Sequence, residues 1–225
     1  MNEQETLTIL GKVGAVITQS HIIYVSGKHG TAYVNKDAVY LHTKETSDLC
    51  RAIAEQFTND NVEVVIAPAI GGVILSQWVA HHLTEMSGRE VLGVYAEKEG
   101  TELTSSSYGP FPPKHEDGFV IKRDYDKLIV GKNVLVVEDV LTTGGSARKV
   151  IEAVRAIGGN VVGLGILCNR GGVTSEKVGN VPKLFALLNI TMEAWNAEQC
   201  PLCKNSVPIN TDVGHGRKFL ARKQT

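Results

Sequence analysis

The chain has 225 residues, 23 basic and 24 acidic side chains, and a formal net charge of -1. That length suits one substantial core with a small appendage, and the near balance of charge argues against a nucleic-acid or polyanionic partner. No apolar run reaches the roughly 20 residues that cross a bilayer. Met1 to Leu10 carries acids and no basic signal-peptide stretch, and four cysteines without such a signal point to the reducing cytosol, so a cytoplasmic protein is expected.

Leu7, Ile9, Leu10, Val13, Val16 and Ile17 predict a first helix over about 3–18, interrupted by Gly11 and Gly14. His21 to Val25 reads as a strand, turned by Ser26-Gly27-Lys28-His29-Gly30 into extended chain at Tyr33-Val34-Asn35 and Val39-Tyr40, a hairpin. A helix follows from Thr43 or Thr46 through Leu49, Ile53, Ala54 and Phe57. Val62 to Ala67 is a buried-strand pattern that ends in Pro68-Ala69-Ile70-Gly71-Gly72, with a helix behind it at Val73, Leu75, Val79 and Leu83. Val91 to Ala96 is a third strand and delivers Glu97-Lys98-Glu99. Gly100 to Gly118, rich in Ser, Thr and Pro, has the length of a lid loop, and Phe119 to Arg123 resumes as a strand.

Val134 to Val137 is a short β-branched run, bounded by Glu138-Asp139 and then Leu141-Thr142-Thr143-Gly144-Gly145-Ser146. Ala147, Val150, Ile151, Val154 and Ile157 recur at helical spacing up to Gly158-Gly159. A strand thus delivers two acids and a glycine and hydroxyl loop to a helix start. Glycines let several backbone N–H groups converge on one anion, and the helix start adds unsatisfied donors and positive dipole. The hydroxyls suit a phosphate monoester, and the carboxylates suit neighbouring sugar hydroxyls. The expected ligand is a ribose 5-phosphate, with the phosphate on residues 142–146 and the ribose on Glu138 and Asp139. The Gly-Lys-Ser/Thr ending of an ATPase loop and the dinucleotide glycine spacing are both missing.

The remaining strands and loops follow one plan. Val161 to Leu167 delivers Cys168-Asn169-Arg170-Gly171-Gly172, and Leu184 to Leu188 reads as an edge strand. Several strand–loop–helix units mean an α/β fold with a mostly parallel central sheet, helices on both faces and ligands at the carboxyl ends of the strands.

The thirteen residues Val134 to Ser146 closely resemble the PRPP-binding motif of type I phosphoribosyltransferases, and residues 3–190 resemble most the orotate phosphoribosyltransferases. The resemblance implies a small N-terminal hood at 1–42 and a lid at about 97–123. It implies transfer of ribose 5-phosphate from PRPP to orotate, with Mg2+ carried mainly by PRPP, in a homodimer. It places pyrophosphate on Ala69, Ile70, Gly71, Gly72 and Lys98, and assigns the orotate carboxylate to Arg170. Lys28 and Thr142 are further base-binding candidates, and Lys114, His115, Lys122 and Arg123 are candidate lid cations. Asp139, Glu138 and Lys98 are the candidate catalytic residues. Two positions depart from the orotate pattern: Val25 stands where that family has a lysine, and Glu97 where it has an arginine. The alternatives are a phosphoribosyltransferase for a purine or another base, or a PRPP-binding regulator without turnover.

The C-terminal tail, 191–225, lies outside that resemblance. Cys200-Pro201-Leu202-Cys203 is a zinc half-site. Cys168, His215, His115 and Cys50 are the further ligands available to it, and there is no second Cys-x-x-Cys. The expectation is a tight turn with reduced thiols, with zinc at Cys200 and Cys203 as the alternative.

Overall fold

A computed structural model describes residues 1–24, 26–99, 118–190 and 193–223. In chain order the elements are α1 (Glu3–Lys12), β1 (Val16–Ile17), β2 (Ile22–Ile23), β3 (His29–Gly30), β4 (Tyr33–Val34), α2 (Lys36–Tyr40) and α3 (Thr43–Gln56). Then come β5 (Val64–Pro68), α4 (Val73–Ser87), β6 (Leu92–Lys98), β7 (Phe119–Val120), α5 (Tyr125–Ile129), β8 (Asn133–Leu141), α6 (Gly145–Ala156) and β9 (Asn160–Asn169). β10 (Leu184–Asn189), α7 (Pro201–Lys204) and α8 (Gly216–Lys223) complete the chain. They form two compact units, one of Met1–Glu45 with Ile190–Thr225, the other of Thr46–Asn189.

The central unit holds a six-stranded sheet in the order β10-β9-β8-β5-β6-β7. Every pairing is parallel except that of β7 with β6. All five residues of β5 are buried, as is most of β8, so these strands are covered on both faces. Alternation along β9 shows which helix covers which face. Leu164 and Ile166 pack with Val150, Ile151 and Val154 of α6. Gly163 and Gly165 point the other way, where an added Cβ would meet Phe57, just past α3, at 2.5 Å and Ile53 of α3 at 2.6 Å. These two glycines let α3 approach the sheet closely.

Among the described residues the other unit has only two-residue strands, so side chains and single bridges hold much of it. Asn2 and Glu5 cap α1 reciprocally, with Glu5 N–H donating to Asn2 Oδ1 at 2.9 Å and Asn2 N–H to Glu5 Oε2 at 2.8 Å. The helix expected to reach residue 18 stops at Lys12. Gly14 takes φ +67°, and the β-branched pair Val16–Ile17 joins an antiparallel pairing with β4 instead. Val39 and Tyr40, expected to be extended, belong to α2. There Asn35 N–H donates to Ala15 O and the chain turns into a helix at once, Ala38 N–H donating back to Asn35 O. The tail docks on the β2–β3 hairpin: His29 and Trp195 exchange backbone hydrogen bonds of 2.8 and 2.9 Å, and Asn210 N–H donates to His21 O. No helix among the described residues is long and apolar enough to cross a membrane.

Candidate functional site

In the sheet order, β6 lies on one side of β5 and β8 on the other, so the direction of winding reverses between β5 and β8. Strand ends part at such a reversal, and ligands bind in the crevice beyond them. Both glycine loops singled out from the sequence leave these two adjacent strands. The loop after β5 is Ala69-Ile70-Gly71-Gly72, with Ile70 89% exposed and a cis peptide between Ala69 and Ile70. Ala69 N–H donates to Ala96 O and Gly72 N–H to Pro68 O. Of the four amides, those of Ile70 and Gly71 have no internal acceptor among the described residues. Gly72 is required by space, since a Cβ would stand 2.6 Å from the Ala67 Cβ.

The loop after β8 walls a polar cavity of about 150 Å³, lined by Glu138, Val140, Leu141, Thr142, Thr143, Gly144, Gly145 and Ser146. Thr142, Thr143, Gly145 and Ser146 are exposed there. Gly144 is the N-cap of α6 at φ +80° and offers no side chain of its own, while the Gly145 N–H makes one long bond of 3.5 Å to Thr143 Oγ1. A Cβ on Gly144 would meet Val178 at 2.8 Å and Val173 at 2.9 Å, so conformation and space both demand glycine. Helix-start amides that carry only this one long bond to a hydroxyl among the described residues, beside the hydroxyls of Thr142, Thr143 and Ser146, form a cradle for a dianion. Glu138 and Asp139 are each only 6% exposed at the end of β8. As neighbours on a strand they point to opposite faces. Glu138 lines the cavity, while Asp139 Oδ1 accepts the Val140 N–H at 2.6 Å. An oxygen-only donor set of this kind fits Mg2+ held jointly with phosphate oxygens.

Arg170 follows β9, and its backbone N–H donates to Leu141 O at 3.0 Å, just ahead of the phosphate-type loop. The next residue touches that loop: a Cβ on Gly171 would lie 1.8 Å from Thr142 O. Asn169, buried, closes the turn by donating to Val173 O and accepting the Val173 N–H, both at 3.0 Å. Sequence reading passed over both Gly171 and Asn169. A glycine pair after a strand gives no sign that its first member abuts another loop. Cys168 is buried behind Arg170, and burial pushes its thiol up to about 12.

Lys98 is exposed at the end of β6, opposite Phe119 of β7. Arg123, at φ +64°, donates to Glu97 at 2.7 Å and lies 5.7 Å from the Tyr95 ring centre. That bond to Glu97 raises the guanidinium further above its ordinary value. A cation thus stands beside Glu97, where the orotate pattern has arginine. Lys122 is half-buried beside it. Lys114 and His115 lie outside the described residues. Lys28, in the other unit, is exposed on the hairpin turn, its N–H donating to Ser26 Oγ at 3.4 Å.

The tail cysteines meet partners other than those expected from the sequence. Cys50 is buried in α3 and Cys168 in β9, and neither they nor His215 join Cys200 and Cys203. His115 is outside the described residues. His21 and His29 complete the group instead, all four potential ligand atoms lying within 4.8 Å of one another. In the sequence these histidines flank a hairpin far from the cysteines, so only the fold could reveal them.

A family model described as "Phosphoribosyl transferase domain" matches residues 38–201. An orotate phosphoribosyltransferase of Desulforamulus reducens is 35% identical over 208 residues, 92% of this chain and 95% of the relative. That of Pelotomaculum thermopropionicum is 36% identical over 208 residues, covering 92% and 95%. Mycobacterium tuberculosis orotate phosphoribosyltransferase, solved in complex with PRPP, has the same fold at a TM-score of 0.55 and 20% identity, covering 84% of this chain and 96% of that one. With relatives this similar over nearly the whole of both chains, and a family match that spans both glycine loops, the protein belongs to the phosphoribosyltransferase family.

Proposed function

We propose that the chain is an orotate phosphoribosyltransferase: orotate plus PRPP gives orotidine 5-phosphate plus pyrophosphate. The observation that carries it is the cavity after β8, where a helix start with a glycine N-cap and three hydroxyl residues stand beside Glu138, on a strand adjacent to the one that bears the second glycine loop. In this reading residues 142–146 hold the 5-phosphate, and Glu138 and Asp139 accept from the ribose hydroxyls. The amides of Ile70 and Gly71, with Lys98, receive pyrophosphate. Arg170 takes the orotate carboxylate, for which a guanidinium offers paired donors, and Lys28 is the further base-binding candidate.

The reaction breaks the C1–O bond to pyrophosphate and forms a bond from C1 to the ring nitrogen of the orotate anion. The base attacks with its own electron pair, so no general base is needed. Catalysis is then orientation and electrostatics. The two carboxylates would offset the positive charge that develops on the ribose, with Asp139 as the one near it. Glu138 and Asp139 would orient the ribose hydroxyls of PRPP, and Mg2+, held mainly through PRPP, would supply positive charge for the departing pyrophosphate. The lid expected at about 97–123 falls, over 100–117, outside the described residues; its expected work would be to exclude water from the cationic centre. The assembly is a homodimer and the compartment the cytosol.

Pyrophosphate release from PRPP and Mg2+ tests this, with orotate, uracil, adenine, hypoxanthine and xanthine offered separately. Release with orotate alone is expected. Release with a purine alone would move the specificity, as the residues at 25 and 97 would then explain. Tight PRPP binding without turnover on any base would make the chain a regulator.

A further inference from the structure

We infer that His21, His29, Cys200 and Cys203 form a structural zinc site that joins the N-terminal hairpin to the C-terminal tail. His21 and His29 are 1% and 0% exposed, Cys200 is fully buried and Cys203 half-buried. His21 Nε2 stands 2.9 Å from His29 Nδ1 and 3.7 Å from each sulfur, and Cys203 Sγ is 3.3 Å from His29 Nδ1. Zinc bonds of about 2.0–2.3 Å in a tetrahedron put ligand atoms about 3.3–3.8 Å apart. The spacings found are within about half an ångström of that range.

The hydrogen bond behind His21 orients it for this role. Its Nδ1 lies 2.8 Å from Val207 O, and a carbonyl only accepts, so Nδ1 carries the proton. In the neutral ring Nε2 is then a bare lone pair. An imidazole nitrogen and two sulfurs converge on it. One lone pair takes one good hydrogen bond, not three, whereas a cation at the centre engages all four atoms. A carbonyl holding the far nitrogen of a ligating histidine is the usual outer support of such a site.

Charge and denticity select the ion. Two thiolates balance a dication, and two neutral imidazoles add nothing, so the loaded site is neutral and tolerates burial. A closed set of two sulfurs and two nitrogens suits zinc in a structural role, since no position is left open for a substrate. His21 and Cys200 are 179 residues apart in the chain, so the bond closes a very long loop. The inference is independent of the reaction proposed above.

The test is metal content by mass spectrometry on full-length protein from zinc-supplemented cells, after dialysis without thiols. One zinc per chain is expected in the wild type and in H81A, which alters an exposed member of the separate group of His81, His82 and Glu85. The C200S/C203S double variant should lose more than the roughly 10- to 100-fold in affinity that loss of an outer partner costs. Should that variant fail to fold, cobalt exchanged into the wild type decides. Tetrahedral bands with a thiolate-to-cobalt charge-transfer band support the site. Their absence, zinc-free wild type, or zinc that persists in the folded double variant would overturn it and leave the four side chains a hydrogen-bonded cluster.

Discussion

The two units of this protein are held together in different ways. The central unit buries continuous apolar strands between helices, and its core runs through Val64, Ile66, Val136, Leu164 and Ile166. The terminal unit has strands of two residues and buries two histidines at the place where its two chain segments meet. The first kind of core tolerates the loss of any single polar contact and places loops rigidly at its strand ends. The second stands on a few directional contacts, so it is the more exposed to a single substitution. The proposed site is built on the first, in keeping with sites held on rigid elements.

The contrast sharpens most at Gly171. G171A puts a methyl 1.8 Å from Thr142 O, so the phosphate-type loop must move. A displacement near 1 Å costs about 100-fold in rate, and a loss of at least that size in pyrophosphate release is expected while circular dichroism stays that of the wild type. E138Q and D139N should each lower kcat on the order of 10²–10³-fold, the scale seen when one preorganised electrostatic contact is removed, with unfolding temperature nearly unchanged. R170A should raise the KM for orotate roughly 10- to 100-fold, from the about 1.5–3 kcal/mol of a charged hydrogen bond, and leave the KM for PRPP alone. If both constants rise together, Arg170 supports the loop rather than the base.

Much of the central unit is legible in the sequence because each strand is a short β-branched run that ends in a glycine loop before a helical period. Val134 to Ser146 shows it best, since apolar strand, acids, hydroxyls and glycine are contiguous. Asn169 and Gly171 escape notice because their partners, Val173 and Thr142, are set by folding of the loops and not by spacing. The terminal unit is the harder to read. Gly14 ends α1 early by taking a left-handed conformation, and Val39–Tyr40 turns helical although its residues favour strands. Its histidine and cysteine partners come from opposite ends of the chain.

The smallest effect expected is again in the central unit. Glu63 receives Lys132 Nζ at 2.8 Å and the Asn133 N–H at 3.0 Å at the start of β8, and these bonds, Lys132 first, hold its carboxyl below the ordinary value. A depressed folded value gives stability present above the unfolded value and lost as the pH falls through the folded one. Thermal unfolding of E63Q should therefore drop slightly at neutral pH, the pair being well exposed. The difference from wild type should vanish in acid. A drop that persists below the carboxylate range would point to lost packing instead.

The discontinuity of the terminal unit has a consequence for synthesis. The central unit is one unbroken run, Thr46–Asn189, and is complete as soon as its last strand leaves the ribosome. The first 45 residues emerge earliest, yet they must wait for Ile190–Thr225 before their unit can close. During that interval His21 and His29 are on the nascent chain without the cysteines, so the cluster can be assembled only after the whole of the central run has been synthesised.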